Sequence, residues 1–239
     1  MKKLFYLFCL ICPIKSIRKR AKKFQRLKEY SIFLVEDGVQ VPLDFHNIAK
    51  IENVNLRIDG SSDASNRLII YLPQTKPLNV KILYKKANNE VIFNENVHGG
   101  LWDITLTGEN NKCHIGALTR TNGPCTIKLI GNTLIIGRDC MFSNNIYIWG
   151  DGHSILDYET KQVLNKPDKP ILIGDHCWIG ERVSLNKNAQ IPNDTVVAMA
   201  AVVTKPFDTE HSILAGVPAK MVKQGVTWHS SSPLTYKKK

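Results

Sequence analysis

The chain is 239 residues long and carries a formal net charge of +11, from 32 Lys and Arg against 21 Asp and Glu. That length supports one substantial core, or at most two small domains. The charge is not spread over it: residues 1–30 hold ten basic side chains against Glu29, the last three residues are lysines, and residues 31–236 come to −1. With the charge confined to the ends and no aromatic platform beside it, nucleic acid is not the expected partner. Six cysteines in a chain of this size make no secreted disulfide framework. Cys113, Cys125, Cys140 and Cys177 read as free thiols acting as small apolar residues, and a reducing cytoplasm fits them. Cys9 and Cys12 form a CxxC without a second pair, a weak metal or redox signal.

Leu4 to Ile14 is an apolar run, LFYLFCLICPI, too short for a membrane-spanning helix, which needs about twenty residues. Lys2 and Lys3 imitate the start of a signal peptide, but Pro13 and the basic SIRKRAKKFQRLK follow, without a small-residue cleavage site. Residues 1–30 are therefore a basic, partly apolar helical segment with three readings. It is a membrane-surface anchor at the inner face of the cytoplasmic membrane, a helix packed on its own fold or a neighbouring subunit, or a signal sequence.

From Ser31 to about Pro77 the chain is strand-like, with Ile32-Phe-Leu-Val, Asn53-Val-Asn-Leu-Arg-Ile and Arg67-Leu-Ile-Ile-Tyr-Leu separated by polar turns. Gly60-Ser-Ser-Asp-Ala-Ser-Asn and Gly108-Glu-Asn-Asn-Lys are similar corners leading into apolar strands. These suggest irregular early coils of one domain over 31–225, with the basic helix covering the open end of the first coil.

Between Ile130 and Ile148 a period of six emerges, IGNTLI, IGRDCM, FSNNIY, and stops at Trp149. Residues 150–170 are polar, contain two prolines, and form a projecting excursion, where functional groups tend to gather. From Ile173 to Val203 the period is regular. Ile173, Ile179, Leu185, Ile191, Val197 and Val203 open successive blocks, and Cys177, Val183, Ala189, Thr195 and Ala201 hold the fifth place. First and fifth positions lie two residues apart across each block boundary, so both point to one side of a strand and fill an interior. Gly174 and Gly180 fall where a corner could need positive φ. Residues 226–239 read as a partly ordered tail.

These blocks resemble the hexapeptide-repeat acyltransferases. The resemblance also rests on Cys140-Met-Phe-Ser, Gly150-Asp-Gly-His-Ser-Ile, Ile173-Gly-Asp-His-Cys-Trp-Ile-Gly, Val202-Val-Thr-Lys and Ala215-Gly-Val-Pro-Ala-Lys, which follow in the family's order. It covers roughly residues 100 to 228 well and the preceding third loosely, and is nearest the branch that O-acetylates bacterial capsule and other cell-surface sugars, including polysialic acid. It implies an all-β fold, a left-handed parallel β-helix; the hand comes from the resemblance alone, since ordinary parallel crossovers are right-handed. It also implies acetyl-CoA as co-substrate, a sugar or polysaccharide acceptor, a cytoplasmic homotrimer, and active sites between subunits.

Acetyl transfer to a hydroxyl needs a base, oxyanion donors and a groove for the long thioester. Imidazole suits the first task at neutral pH. Of His46, His98, His114, His153, His176, His211 and His229, His153 sits where the repeat breaks, and the resemblance puts the family's catalytic histidine there. Asp151 or Asp157 could orient it. Trp178, the sixth residue of its block, is expected outside at a corner. The resemblance places it beside thioester and sugar, and subunit packing is the alternative. Glu181, Met199, Thr204, Lys205, Lys220 and Lys223 match cofactor-lining positions, Met199 standing where the family commonly has alanine. Nothing suggests a covalent acyl-enzyme, so direct attack is expected. A non-catalytic membrane-associated β-solenoid scaffold would explain the repeats and the basic end, but not the excursion or GVPAK. A zinc hydratase would need histidines five apart, and no two are.

Overall fold

The computed structural model describes residues 14–150 and 152–237. The apolar run up to Pro13, with Lys2, Lys3, Cys9 and Cys12, lies outside the described residues, as do Asp151, Lys238 and Lys239. The described chain winds a β-solenoid of about 7 turns. Ser31–Glu36, Arg67–Tyr71, Glu90–Phe93, Lys112–Ile115, Thr133–Ile136, Ile171–Ile173 and Gln190–Ile191 pair in parallel as its first face. The second and third faces share one 12-stranded sheet. They merge because His98–Leu106 and Arg120–Leu129 run from one to the other without a break.

The period of six becomes three faces per coil. Every first- and fifth-position residue from Ile173 to Val203 is buried, and the same interior holds Cys113, Cys125 and Cys140. In the earlier coils, Trp102 fills the core between Phe93 and Phe142, at centroid distances of 6.4 and 5.6 Å.

The corners differ from the sequence expectation. Gly174 and Gly180 do not have positive φ; the left-handed positions are His176 (φ 52) and Arg182 (φ 58), two residues on. The glycines serve closeness instead. A Cβ on Gly174 would stand 2.6 Å from the backbone N of Asn193, and one on Gly180 2.7 Å from that of Met199, both on the next coil. Left-handed residues then recur coil after coil: Asp139, His176, Asp194 and His211 at the first-to-second corner, Asn145, Arg182 and Ala200 at the second-to-third.

The third-to-first corner is held by buried asparagines. The backbone N–H of Asn89 donates to Asn66 Oδ1 (3.0 Å), that of Asn111 to Asn89 Oδ1 (3.0 Å), and that of Asn132 to Asn111 Oδ1 (3.1 Å). Asn132 Nδ2 ends the ladder on the carbonyl of Gly150, the point where the excursion departs (3.2 Å). Truncating one member would strand the donors and acceptors of two neighbours at once. Asn111→Ala is expected to cost about 3 kcal/mol, a Tm loss of roughly 6–12 °C in a domain this large. A melting curve within 2 °C of the parent would show that the ladder carries no such weight.

Both ends of the solenoid are covered. The helix Lys15–Leu27 buries Ala21 and Leu27 against the first coil, and Lys23 Nζ donates to the carbonyls of Ile51 (2.5 Å) and Val54 (2.6 Å). At the other end, Lys220–Gln224 folds back antiparallel on Ser212–Ala215. Among the described residues no helix is long and apolar enough to cross a membrane.

Candidate functional site

The excursion leaves the third face at Gly150 and rejoins the first at Ile171. It is a short hairpin rather than a loose loop. Leu156 bridges Val163 antiparallel, Asp157 N–H donates to the Gln162 carbonyl (2.8 Å), and Leu164 N–H to that of Ile155 (2.8 Å). Asn165 ties the hairpin's base together: its Oδ1 accepts from Ile155 N–H and its Nδ2 donates to the His153 carbonyl, both at 2.8 Å. Lys187 donates to the Asn165 carbonyl, and Asn188 Nδ2 to the Asp168 carboxylate, pinning the return leg to the next coil. His153 is thus held by its backbone, with its side chain exposed.

The Asp157 carboxylate, one of the two candidates to orient His153, is engaged within its own turn. Its Oδ1 accepts from Thr160 N–H (2.7 Å), Thr160 Oγ1 (2.8 Å) and Glu159 N–H (3.1 Å), closing its own turn. The Thr160 bonds hold its carboxyl below the usual range, so it stays ionised for that purpose.

Trp178 sits on a strand, Trp178–Ile179, and not at a corner. In the parallel register Ile179 points into the core and Trp178 outward on the second face, donating from Nε1 to Ser143 Oγ (3.3 Å). The corner that follows carries Glu181. Ala200 N–H, one coil on, donates to its carbonyl (2.8 Å), which stacks Met199 over it. Met199 is exposed, its Sδ 3.9 Å from Arg182 Nη2. The Gly216–Lys220 turn comes next: Val202 N–H donates to Gly216 O (3.1 Å) and Ala219 N–H to Val202 O (2.8 Å). Glu181, Met199 and Lys220 therefore climb the second-to-third edge of the solenoid in successive layers, with Trp178 on the second face of the first of these coils. Lys223, opposite Ile213 in the closing strand, is exposed above them.

Thr204 and Lys205 lie on a different edge. They follow third-face Val202–Val203 and precede Pro206, which bridges first-face Gln190. That is the corner from which the excursion departs, so they share an edge with His153. Lys205 is exposed and stacks its amine 5.7 Å over the Phe207 ring. Glu181, Met199 and Lys220 stand on one edge of the third face and His153, Thr204 and Lys205 on the other, about 15 Å apart for a face some five residues wide, with Trp178 farther off on the second face.

Sequence reasoning missed a cluster beside Trp178. His176 and Asp194 occupy the same corner on successive coils, with Nδ1 to Oδ1 at 2.7 Å. The segment read as a tail runs back along this corner. Val226 N–H donates to His211 O (2.9 Å), Thr227 Oγ1 to Asp194 Oδ1 (2.8 Å) and Trp228 Nε1 to His176 O (2.6 Å). The Trp228 ring stacks on His176 at 4.6 Å and 14°, and lies 6.1 Å from Trp178. Burial alone would raise the Asp194 pKa, but hydrogen bonds from His176 and Thr227 outweigh it and hold the carboxyl low.

The thiols are unsuited to attack. Burial pushes Cys113 up to about 12 and Cys125 higher; a hydrogen bond with Cys140, then burial, raises Cys177 further. The thiolate is the nucleophile, and none of these forms near neutral pH.

No family model matches the chain. Galactoside O-acetyltransferase of Escherichia coli (strain K12) is 28% identical over 111 residues, 46% of this chain and 53% of that protein. The chain spans about half the length of the curated relatives it matches. Among solved structures, the polysialic acid O-acetyltransferase OatWY superposes with a TM-score of 0.65 and 23% identity, over 87% of this chain and 94% of that one. The polySia-specific acetyltransferase NeuO gives 0.53 and 23%, over 75% and 84%. These likenesses show the fold, a left-handed parallel β-helix.

Proposed function

We propose that this left-handed β-helix protein is an O-acetyltransferase that moves acetyl from acetyl-CoA to a hydroxyl of a bacterial cell-surface sugar. A capsular polysaccharide of the polysialic acid type is the leading acceptor class. The observation that carries the reading is the braced hairpin at the third-to-first corner, which leaves the solenoid to present His153 unburied. In the reaction, His153 takes the proton of the acceptor hydroxyl as its oxygen attacks the thioester carbonyl. The new C–O bond forms, the C–S bond breaks, and the coenzyme A sulfur leaves and takes up a proton. Trp178 supplies an apolar wall beside the acetyl group. The pantetheine follows the edge of Glu181 and Met199, where the Met199 side chain is exposed. Lys205, Lys220 and Lys223 meet the nucleotide phosphates, lysine being a common phosphate partner.

His153, Thr204 and Lys205 on one edge of the third face, and Glu181, Met199 and Lys220 on the other with Trp178 beyond them, cannot close on one thioester within a single chain. A homotrimer resolves this: threefold symmetry sets one edge of each copy against the other edge of its neighbour. The apolar residues left exposed on the hairpin, Ile155, Leu156, Tyr158 and Leu164, would then be covered. Residues 1–28 hold the enzyme at the inner face of the cytoplasmic membrane without spanning it.

Purified protein, acetyl-CoA and a panel of bacterial polysaccharides and small glycans, read with a thiol-release dye, test the assignment. Release of thiol that depends on a hydroxylated sugar is expected, with acidic polymers among the best acceptors. No thiol release with any acceptor would favour the non-catalytic scaffold reading, and release independent of any sugar would mean thioester hydrolysis and overturn the acceptor assignment.

A further inference from the structure

At the N-terminal end of the solenoid, far from His153, a cleft of about 570 Å³ opens between the helix Lys15–Leu27 and the first coil. Lys19, Arg20, Lys22, Lys23 and Arg26 line it, against one carboxylate, Glu52. None of the five makes an ion pair with a carboxylate among the described residues. Arg20 Nε is shielded from solvent and has no hydrogen-bond partner among them. Five cations on two turns of helix repel one another. Burial, with Lys19 and Arg26 nearby, lowers the Lys23 pKa to about 8. Lys23 spends its amine on the carbonyls of Ile51 and Val54, but neutral acceptors leave the charge unbalanced, and charge compressed in this way calls for an anion from outside.

The floor narrows the choice of anion. Ile48, Val54 and Leu56 make the inner surface apolar, which suits an anion carrying hydrocarbon better than a free ion. The apolar run Leu4–Ile14 also joins this helix directly in sequence. We propose that the cleft is a binding site for the phosphate headgroup of an anionic lipid, seating the N-terminal end of the solenoid on the membrane. The proposal deepens the membrane reading given above, from general attraction to a defined site. It leaves the opposite edges of the solenoid free for the acetyl-transfer site.

Full-length protein is sedimented with vesicles of phosphatidylcholine alone and of phosphatidylcholine with phosphatidylglycerol. Binding to the second only is expected. The variant carrying Lys19→Gln, Lys22→Gln and Arg26→Gln should bind about 100-fold more weakly, since each basic side chain at a lipid surface contributes a fewfold to tenfold factor. A charge-matched control with Lys15→Gln, Arg18→Gln and Lys28→Gln changes exposed residues outside the cleft and should lose much less. Both variants should melt within a few degrees of the parent, because none of these side chains is buried. Equal losses in the two variants would overturn the site and leave bulk attraction. Inorganic phosphate bound by calorimetry as tightly as lipid, without vesicle binding, would overturn the lipid assignment. If deleting residues 1–12 abolishes vesicle binding while the cleft variant binds normally, the cleft is wrong and the membrane reading stands. If the full-length protein binds no vesicle, both fail.

Discussion

His153→Ala is expected to lower turnover by about 10²–10⁴-fold, the range for losing a general base, while leaving fold and coenzyme A binding intact. The fold should survive because the tie to His153 is its backbone carbonyl, which accepts from Asn165 Nδ2, and alanine keeps that carbonyl. The nucleotide should still bind because Lys205, Lys220 and Lys223 are untouched. His176→Ala is the demanding control. It also removes an imidazole, one with a carboxylate partner at 2.7 Å, which on geometry alone looks more like a poised base. Its surroundings argue otherwise: Trp228 covers one face of the ring, and Asp194 is shared with Thr227 of the same strap. The His176 variant should therefore lose some stability and loosen Trp228, with turnover falling no more than a few-fold. A folded His153→Ala enzyme with near-parental rates, beside an inactive His176→Ala enzyme, would transfer the role of base to the Asp194–His176 pair.

The interior of the solenoid was legible because six residues per face put the same two positions inward on every strand. That rule placed the first- and fifth-position residues from Ile173 to Val203 in the core, where they lie. The corners were harder. Glycine is the usual host of positive φ, yet here His176, Arg182 and Ala200 adopt it, while Gly174 and Gly180 make room for the coil above. A longer period would have helped: residues 18 apart occupy the same place on successive coils, and His176 and Asp194 are such a pair. Asp157 could also have been recognised, since an Asp three residues before a Thr closes its own turn. The docking of Val226–Trp228 had no local signal, because it depends on a corner built by residues 15 to 52 positions earlier. In the early coils the spacing of Asn66, Asn89, Asn111 and Asn132 stretches to 21–23 residues, which hid the period of six but kept one buried corner.

Two crippled variants should rescue one another when co-expressed. The first carries His153→Ala; the second carries Trp178→Ala with Lys220→Ala, so each is damaged on one edge and whole on the other. If every site joins the hairpin edge of one copy to the Trp178 edge of the next, random threefold assembly gives about a quarter of sites both intact edges. Activity should then rise from near the background of either variant to roughly that fraction of the parent's. If one chain holds the whole site, every site in the mixture keeps a lesion and mixing gives only the average of the two. The same geometry explains why a monomer should be nearly inactive: the whole third face, about 15 Å wide, lies between the base and the second face that carries Trp178, and proton transfer needs the partners within hydrogen-bond reach. Differently tagged copies, purified through both tags in turn, establish that mixed assemblies have formed. Mixed assemblies without recovery, or a fully active species of monomer mass, would place the site within a single chain and require the hairpin to fold across the third face.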